Sequence, residues 1–360
     1  MKRQRTEFAW RGLAGFTTGA ARPVASIAVA LAIAGLLIWI SGKNPFRAYG
    51  ALFDGAFGSR LNFSETLIKT VPLVLCSLGI AIAFRCAFFN IGAEGQFYMG
   101  ALMAAWLGVS MKASTPVMMV SCLGAAFFAG GALAALSAWM KIRFGASEVI
   151  TTIMLNYVAM RLVGYAVNGP LKEAAGFSPQ TDEIAATAKL AVIWPGTRLH
   201  AGFLLALLGA IVLYAVLFKT VFGYQVRAVG LSPKAAAYGG MNAARRLLEV
   251  GVISGGFAGI AGAVELMGVT HRLWEVFSPG YGFDAIAVSL LARNNPLGII
   301  ASSLLFGALR AGGGQMQRLA GVSSVMIYMV QALIIVFVMI STVGIQFRPG
   351  SSKSQAGEVS

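Results

Sequence analysis

The sequence predicts an all-α, polytopic membrane protein, and three observations carry that reading. Hydrophobic residues make up 58% of the 360 positions and charged residues only 11%, where a soluble domain averages roughly 25% charged. Several apolar runs approach the ~20 residues that take a helix across a bilayer. The cationic residues also concentrate on alternate connections between those runs, as the positive-inside rule requires.

The first element is a basic tail, 1–23, in which Lys2, Arg3, Arg5, Arg11 and Arg22 stand against Glu7. The apolar run Val24 to Ile40 follows. It resembles a signal peptide but ends at Trp39-Ile40-Ser41 without a small-residue cleavage site, so it reads as a retained first helix. Further spans are predicted at 66–84, 97–111, 117–140, 148–168, 201–219, 247–268, 284–292, 297–310 and 323–343. About ten transmembrane segments result, several of them short or broken. They form a membrane domain over 24–343, followed by a tail at 344–360.

Charge sets the expected sidedness. With the N-terminus inside, the cytoplasmic face receives Arg85, Lys141 with Arg143, the 220–246 loop, and the C-terminal tail with Arg348 and Lys353. That loop carries Arg227, Lys234, Arg245 and Arg246 and no acid. The opposite face receives loops 42–65 and 169–200, where Lys172, Lys189 and Arg198 are balanced by Glu173, Asp182 and Glu183. Both termini are therefore expected in the cytoplasm. The formal charge of +15 reads as anchorage beside anionic lipid. No basic patch is interleaved with exposed aromatics, so nucleic acid is not an expected partner.

Two stretches interrupt the plain spans. Arg85 to Met99 places Asn90, Glu94, Gln96 and two glycines within hydrophobic sequence, and lipid cannot satisfy such groups. Asp284 to Ala292 is long enough for only about 13 Å of helix. It is followed by Arg293-Asn294-Asn295-Pro296 and a second short run, Leu297 to Arg310. These two runs read as half-helices or a re-entrant hairpin. Paired interruptions in the two halves of a membrane chain point to a transport site; the alternative is two ordinary polar loops at the membrane surface.

Catalytic chemistry is not indicated. The sequence has no GxSxG, HExxH or GxxxxGK[ST] motif, so no catalytic residue is nominated and the chain is not expected to hydrolyse ATP. Cys76, Cys86 and Cys122 lie in or beside apolar segments without disulfide or metal spacing. His200 and His271 read as surface or interfacial side chains, and no metal site is expected.

Other residues carry structural expectations. In the 220–246 loop, Ser232 and Pro233 form a helix start. Ala235, Ala236 and Ala237 favour a short helix through Tyr238, and Gly239-Gly240 end it. Such a helix suits docking of a cytoplasmic partner; the alternative is an interfacial loop resting on lipid. Gly251, Gly255 and Gly259 share one helical face and predict a close-packed seam, within the chain or between two copies. In the 148–168 span, Thr152 and Asn156 share one face and Tyr157, Arg161 and Tyr165 another. Arg161 either pairs with Glu265 or snorkels to headgroups.

The motifs FNIGAEGQ at 89–96, EVITTIMLNY at 148–157, GLSPKAAAYGGMN at 230–242 and LLARNNPLGI at 290–299 resemble the permease subunits of bacterial nucleoside and simple-sugar ABC importers. That group is related to the ribose and branched-chain amino-acid permeases. The resemblance runs from about residue 24 to 343, and its first two motifs are specific to the nucleoside branch. It implies the ABC importer permease fold and a place in the bacterial inner membrane. It also implies three partners: a cytoplasmic ATPase that holds ATP and Mg, a second permease subunit in a heterodimer, and an extracytoplasmic binding protein or lipoprotein. The chain itself would bind no cofactor. On this resemblance, Ser232 to Gly239 couple to the ATPase, and Phe89, Asn90, Glu94, Gln96, Tyr98, Asn156, Tyr157 and Asn294 line the solute pathway. Glu94 either lines that pathway or caps the helix it begins. The competing class is an ion-coupled secondary transporter with Glu94 or Glu265 as proton carrier.

Overall fold

The computed structural model describes residues 28–174, 176 and 178–343; the tails expected at 1–23 and 344–360, and the start of the first predicted span, lie outside them. The described residues are almost entirely helical. One compact unit, 43–324, contains α2 (Pro45–Phe57), α3 (Arg60–Arg85), α4 (Ala93–Ser110), α5 (Thr115–Phe144) and α6 (Glu148–Asn168). It continues with α7 (Gly202–Lys219), α8 (Val221–Leu231), α9 (Pro233–Tyr238), α10 (Ala243–Glu265), α11 (Tyr281–Leu291) and α12 (Pro296–Ala320). A π-helical turn, Leu266–Thr270, extends α10. The other unit contains α1 (Ala28–Ile40), which buries Ala30, Ala34 and Ile38 along one face, and α13 (Ser324–Val343), which buries Val330 and Gln331. Among the described residues, α3, α5, α6, α7, α10 with its π turn, and α12 are long and apolar enough to cross a membrane. Among the described residues, each predicted span falls on a helix, and the chain is a multi-pass membrane protein.

The centre of the larger unit is α10, and its small residues explain why. Gly255 and Gly259 lie so close to α5 that an added Cβ would strike the carbonyls of Gly130 and Ala126, while one at Gly251 would come within 3.2 Å of the Ala138 methyl. The seam is thus within the chain. On other faces of α10, Gly262 meets the Phe97 carbonyl of α4, and Ser254 meets Gly79 of α3. Helix α3 is enclosed on nearly all sides, with 83% of its most apolar stretch buried, which accounts for its lack of a polar stripe.

Three expectations are corrected. Loop 42–65 contains α2 and the first turn of α3. Asn44 caps α2 by accepting from the backbone N–H groups of Phe46 (2.9 Å) and Arg47 (3.2 Å), with Pro45 at the first helical position. No apolar run marks this helix, because it buries Ala48, Ala51, Gly55 and Ala56 and leaves Phe46 and Phe53 exposed. The predicted run 297–310 does not stop at Arg310; α12 continues to Ala320. The cation is accommodated within the helix by Asp284 of α11 (Nη2 to Oδ2, 2.7 Å), by the Pro279 carbonyl (3.1 Å) and by the face of Tyr281 (4.8 Å). Of the two half-helices, only α11 is short.

The third correction is His200, which is buried rather than at the surface. The 169–201 segment folds inward over the ends of α4 and α10. Ala185 donates to the Gly108 carbonyl (2.8 Å), Leu190 to Met267 (3.0 Å), Ile184 to His271 (3.0 Å) and Thr181 to Leu273 (2.9 Å). His200 Nδ1 accepts from the Gly202 N–H at 3.2 Å, and its ring lies against Gly268. Burial, aided by the nearby His271, lowers the His200 pKa from its ordinary 6.5 to about 4.

Two tests follow from these contacts. Replacing Arg310 by Met leaves the largely buried Asp284 carboxylate without its counter-charge. This is expected to cost about 3–5 kcal/mol, read as a lower thermal midpoint in detergent, with partial recovery when Asp284→Asn is added. His200 is neutral in the folded chain, so the unfolded chain binds the extra proton below pH 6.5. The stability it contributes is complete above pH 6.5 and declines as pH falls toward 4, by up to about 3 kcal/mol. The midpoint should drop over that interval, and His200→Gln should flatten the profile.

Candidate functional site

The interruption at 85–99 is built by side chains that replace lost backbone bonds. After α3 ends, Ala87 adopts a left-handed conformation (φ 53°) and α4 starts only at Ala93. Its first N–H groups have no intrahelical acceptor. Asn90 Oδ1 accepts from the Gly92 N–H (2.9 Å) and from Gln96 Nε2 (2.9 Å), while Asn90 Nδ2 donates to Gln96 Oε1 (2.9 Å) and Ser254 Oγ (2.8 Å). The two amides thus clasp each other, both buried. From α6, Asn156 accepts from the Gly95 N–H (2.8 Å) and donates to the Ile91 carbonyl (3.0 Å). Gly95 is required here, because a Cβ would come within 2.7 Å of Asn156 Cα.

The second interruption meets the first. Helix α11 starts beyond Gly280, which is left-handed at φ 94°. Ser278 Oγ accepts from the N–H groups of Gly280 (3.1 Å) and Tyr281 (3.2 Å). Glu94 Oε2 accepts from the Gly282 N–H at 2.7 Å. The carboxylate therefore lies in the first turn of α4 and bonds to the first turn of α11, where both helix dipoles favour an anion. Around it, Phe97 packs against Phe277 (5.6 Å) and Tyr281 (6.0 Å), and Tyr98 accepts from the Ser278 N–H at 3.1 Å.

A cavity of about 410 Å³ opens beside this junction, walled by Glu94, Tyr98, Tyr157, Arg161, Glu275 and Phe283 among others. Tyr157 is 62% exposed and Phe283 46%, so the aromatic wall is accessible. Glu275 accepts from Asn168 Nδ2 at 3.4 Å. Arg161 has no hydrogen-bond or ion-pair partner among the described residues. This arrangement offers ring faces, two carboxylates and a free guanidinium to a small polar molecule. It contains no nucleophile–base pair.

The residues nominated from sequence separate into groups. Glu94, Tyr98 and Tyr157 share the cavity, and Arg161 joins them. Asn90, Gln96 and Asn156 lie beneath the start of α4: the first two bond to each other, and Asn156 bonds to the backbone of Ile91 and Gly95. Phe89 is half exposed and stacks on Phe84 at 5.3 Å. Asn294 sits at the far end of α11, where its Oδ1 accepts from Ser289 Oγ at 2.9 Å. Arg161 and Glu265 are not brought together: Arg161 is exposed on α6, while Glu265 is buried at the end of α10. Ser278, Glu275 and Phe283 were not read from the sequence. Ser278-Pro279 is the same helix-start signal as Ser232-Pro233 and marks this turn.

Short helix α9 matches its expected limits. Ser232 Oγ accepts from the Ala235 N–H at 3.3 Å, Pro233 opens the helix and Gly239 closes it. Leu231 and Tyr238 on either side are 89% and 95% exposed.

Comparison with known proteins places these features in a family. Residues 62–339 match the model for the permease component of branched-chain amino acid transport systems. The chain is 34% identical over 336 residues to the guanosine ABC transporter permease protein NupP of Bacillus subtilis, covering 92% of this chain and 96% of that protein. It is 33% identical over 350 residues to the glucose ABC transporter permease protein TsgB13 of Haloferax volcanii, covering 93% and 91%. A nucleoside ABC transporter permease protein, NupB of Lactococcus lactis, is 29% identical over 348 residues, covering 93% and 95%. With a family match across most of its length and two relatives above 30% identity, the chain belongs to this family of ABC transporter permease subunits.

Proposed function

We propose that this permease moves a nucleoside, or a related sugar-containing solute, inward across a bacterial inner membrane, with energy from ATP hydrolysed on a separate subunit. The observation that carries the reading is the junction of α4 and α11. Two helix N-termini meet between membrane-spanning helices beside an accessible aromatic cavity, and its volume falls within the range of small-molecule sites. A base would stack on Tyr157 or Phe283. Sugar hydroxyls would donate to Glu94 or Glu275, and the free Arg161 guanidinium would donate to a base or hydroxyl oxygen. Asn90, Gln96 and Asn156 serve as supports for the start of α4 rather than as solute contacts.

The remaining parts follow from this role. Helix α9, with Leu231 and Tyr238 beside it, receives the ATPase, which holds ATP and Mg; this chain binds neither. That assignment puts the α9 end in the cytoplasm together with both termini. A binding protein or lipoprotein delivers solute to the opposite face, formed by 169–200. The exposed side of α6, with Met154, Tyr157, Val158 and Tyr165, faces a second permease subunit of different sequence, which completes the pathway. Family membership does not favour an ion-coupled transporter.

Uptake into proteoliposomes containing the full complex tests this reading. ATP should drive uptake after the proton gradient is collapsed; uptake that follows the gradient and ignores ATP would refute it. Tyr157→Ala should lower uptake roughly three- to tenfold with an unchanged thermal midpoint. Asn90→Ala should instead lower stability by about 1–3 kcal/mol, since it strands Gln96 and Ser254. Pro233→Asp should leave ATP hydrolysis running without uptake.

A further inference from the structure

Helix α11 is held at both ends by directional bonds. Its first turn is tied to Glu94 at the cavity. At its other end, Arg293 and Asn294 are consecutive non-glycine residues in the left-handed region, at φ 52° and 54°. That conformation is costly for an L residue and persists only where neighbours impose it. Three contacts do so: Asn294 N–H donates to the Ser289 carbonyl (2.8 Å), Asn294 Oδ1 accepts from the buried Ser289 hydroxyl (2.9 Å), and Arg85 Nε donates to the Asn294 carbonyl at 2.7 Å. Arg85 Nη2 also reaches the Arg293 carbonyl at 3.5 Å.

Arg85 is simultaneously bound at the end of α7, where α8 begins. Its guanidinium lies 5.0 Å from the ring centre of Phe218, the last aromatic residue of α7, and the Arg227 guanidinium of α8 lies 5.1 Å from the same ring. Arg227 Nε further donates to the Gly223 carbonyl (3.3 Å). Helix α8 packs so tightly on the end of α3 that a Cβ at Gly230 would strike the Arg85 carbonyl. Two cations that would otherwise repel thus share one ring, and one of them fixes the strained turn of α11.

We infer that Arg85 is the positioning residue that transmits movement of α8 and α9 to the substrate cavity, through the Arg293–Asn294 turn and along α11 to Glu94. This rests on the proposed role of α9 as the ATPase-docking helix. Displacement of α8 moves Arg227 off the Phe218 ring and shifts Gly230 against the Arg85 backbone, and so withdraws or restores the donor that holds the turn. Release of the turn leaves the eleven-residue helix held along its middle, among the described residues, by the Ser77 and Ser302 hydroxyls alone, so it shifts as a rod and its first turn carries Gly282 with it. The Arg side chain suits the task because one planar group stacks on a ring and donates to carbonyls together; Lys can do only one of these well.

The test uses the complete transporter in proteoliposomes, with three readouts: ATP hydrolysis, solute uptake, and hydrogen exchange of residues 281–291 with and without ATP and vanadate. In the parent, trapping nucleotide should change α11 exchange. Arg85→Ala should retain ATP hydrolysis, lose uptake by roughly tenfold or more, and abolish the exchange response; Arg85→Lys should fall between. Phe218→Leu keeps the carbonyl bonds but removes the shared ring, and it should reproduce the effect if Arg85→Ala fails to assemble. Parent-like uptake and exchange response in the assembled variants overturn the inference. Pro233→Asp separates the two ideas: if it is uncoupled while Arg85→Ala is normal, only the transmission route fails. If Pro233→Asp transports normally, the docking role of α9 fails with it.

Discussion

The structure depends on one bond, from the Gly282 N–H to the Glu94 carboxylate. A helix that begins among packed apolar helices leaves N–H groups that no preceding turn can satisfy. Here two such helices, α4 and α11, begin close together, and one carboxylate serves both. The acid lies in the first turn of α4, where the dipole favours it, and its oxygen fills an empty acceptor position of α11. The same approach excludes a side chain at residue 282, since a Cβ there would strike the Glu94 backbone nitrogen. Sequence, helix break and cavity are thus linked at one pair of residues.

That pair is held in place by a less yielding framework. Helices α3, α5 and α10 meet through small residues whose backbones touch, and a seam of that kind has no side chains to rearrange. The polar supports then hang from it: Ser254 of α10 completes the Asn90–Gln96 clasp, and Asn156 of α6 caps α4. Buried polar networks are stable only when every member is satisfied. Asn90 and Gln96 satisfy each other, which lets a polar stretch lie among apolar helices without solvent.

Much of this was legible in the sequence. The apolar runs gave the helices, because a bilayer demands continuous hydrophobic length. The Arg85–Met99 stretch identified the break, because polar groups surrounded by apolar sequence require a partner. Ser232-Pro233 and Gly239 marked α9 through capping chemistry alone. What escaped was whatever depends on distant pairing. Arg310 looked like a helix end until Asp284, at the opposite end of a different helix, supplied its counter-charge. Helix α2 escaped because its buried face is alanine and glycine, which hydropathy does not distinguish from a loop. His200 was misplaced because nothing local shows that the 169–201 segment folds inward. Asn90 and Gln96 were nominated with Glu94, yet only the three-dimensional arrangement separates the groups that support the break from the one that faces the cavity.

The contrast between the two kinds of contact also assigns roles to the helices. Backbone-on-backbone packing at Gly255 and Gly259 has no alternative arrangement of similar density, so α5 and α10 move together or not at all. Helix α11 is different. Its ends are fixed by Glu94, Ser278 and the Arg310–Asp284 pair on one side, and by Arg85 and Asn294 on the other. Such bonds have discrete made and broken states, and among the described residues the middle of the helix is held by only two side-chain hydroxyls, Ser77 on the Ala285 carbonyl (2.9 Å) and Ser302 on the Val288 carbonyl (3.0 Å). The shortness that made residues 284–292 look unlike a span is therefore what suits this helix to movement. A full-length span would be locked along both halves of the membrane, whereas α11 reaches only from the cavity to the Arg85 turn, the distance over which a signal from α8 has to travel.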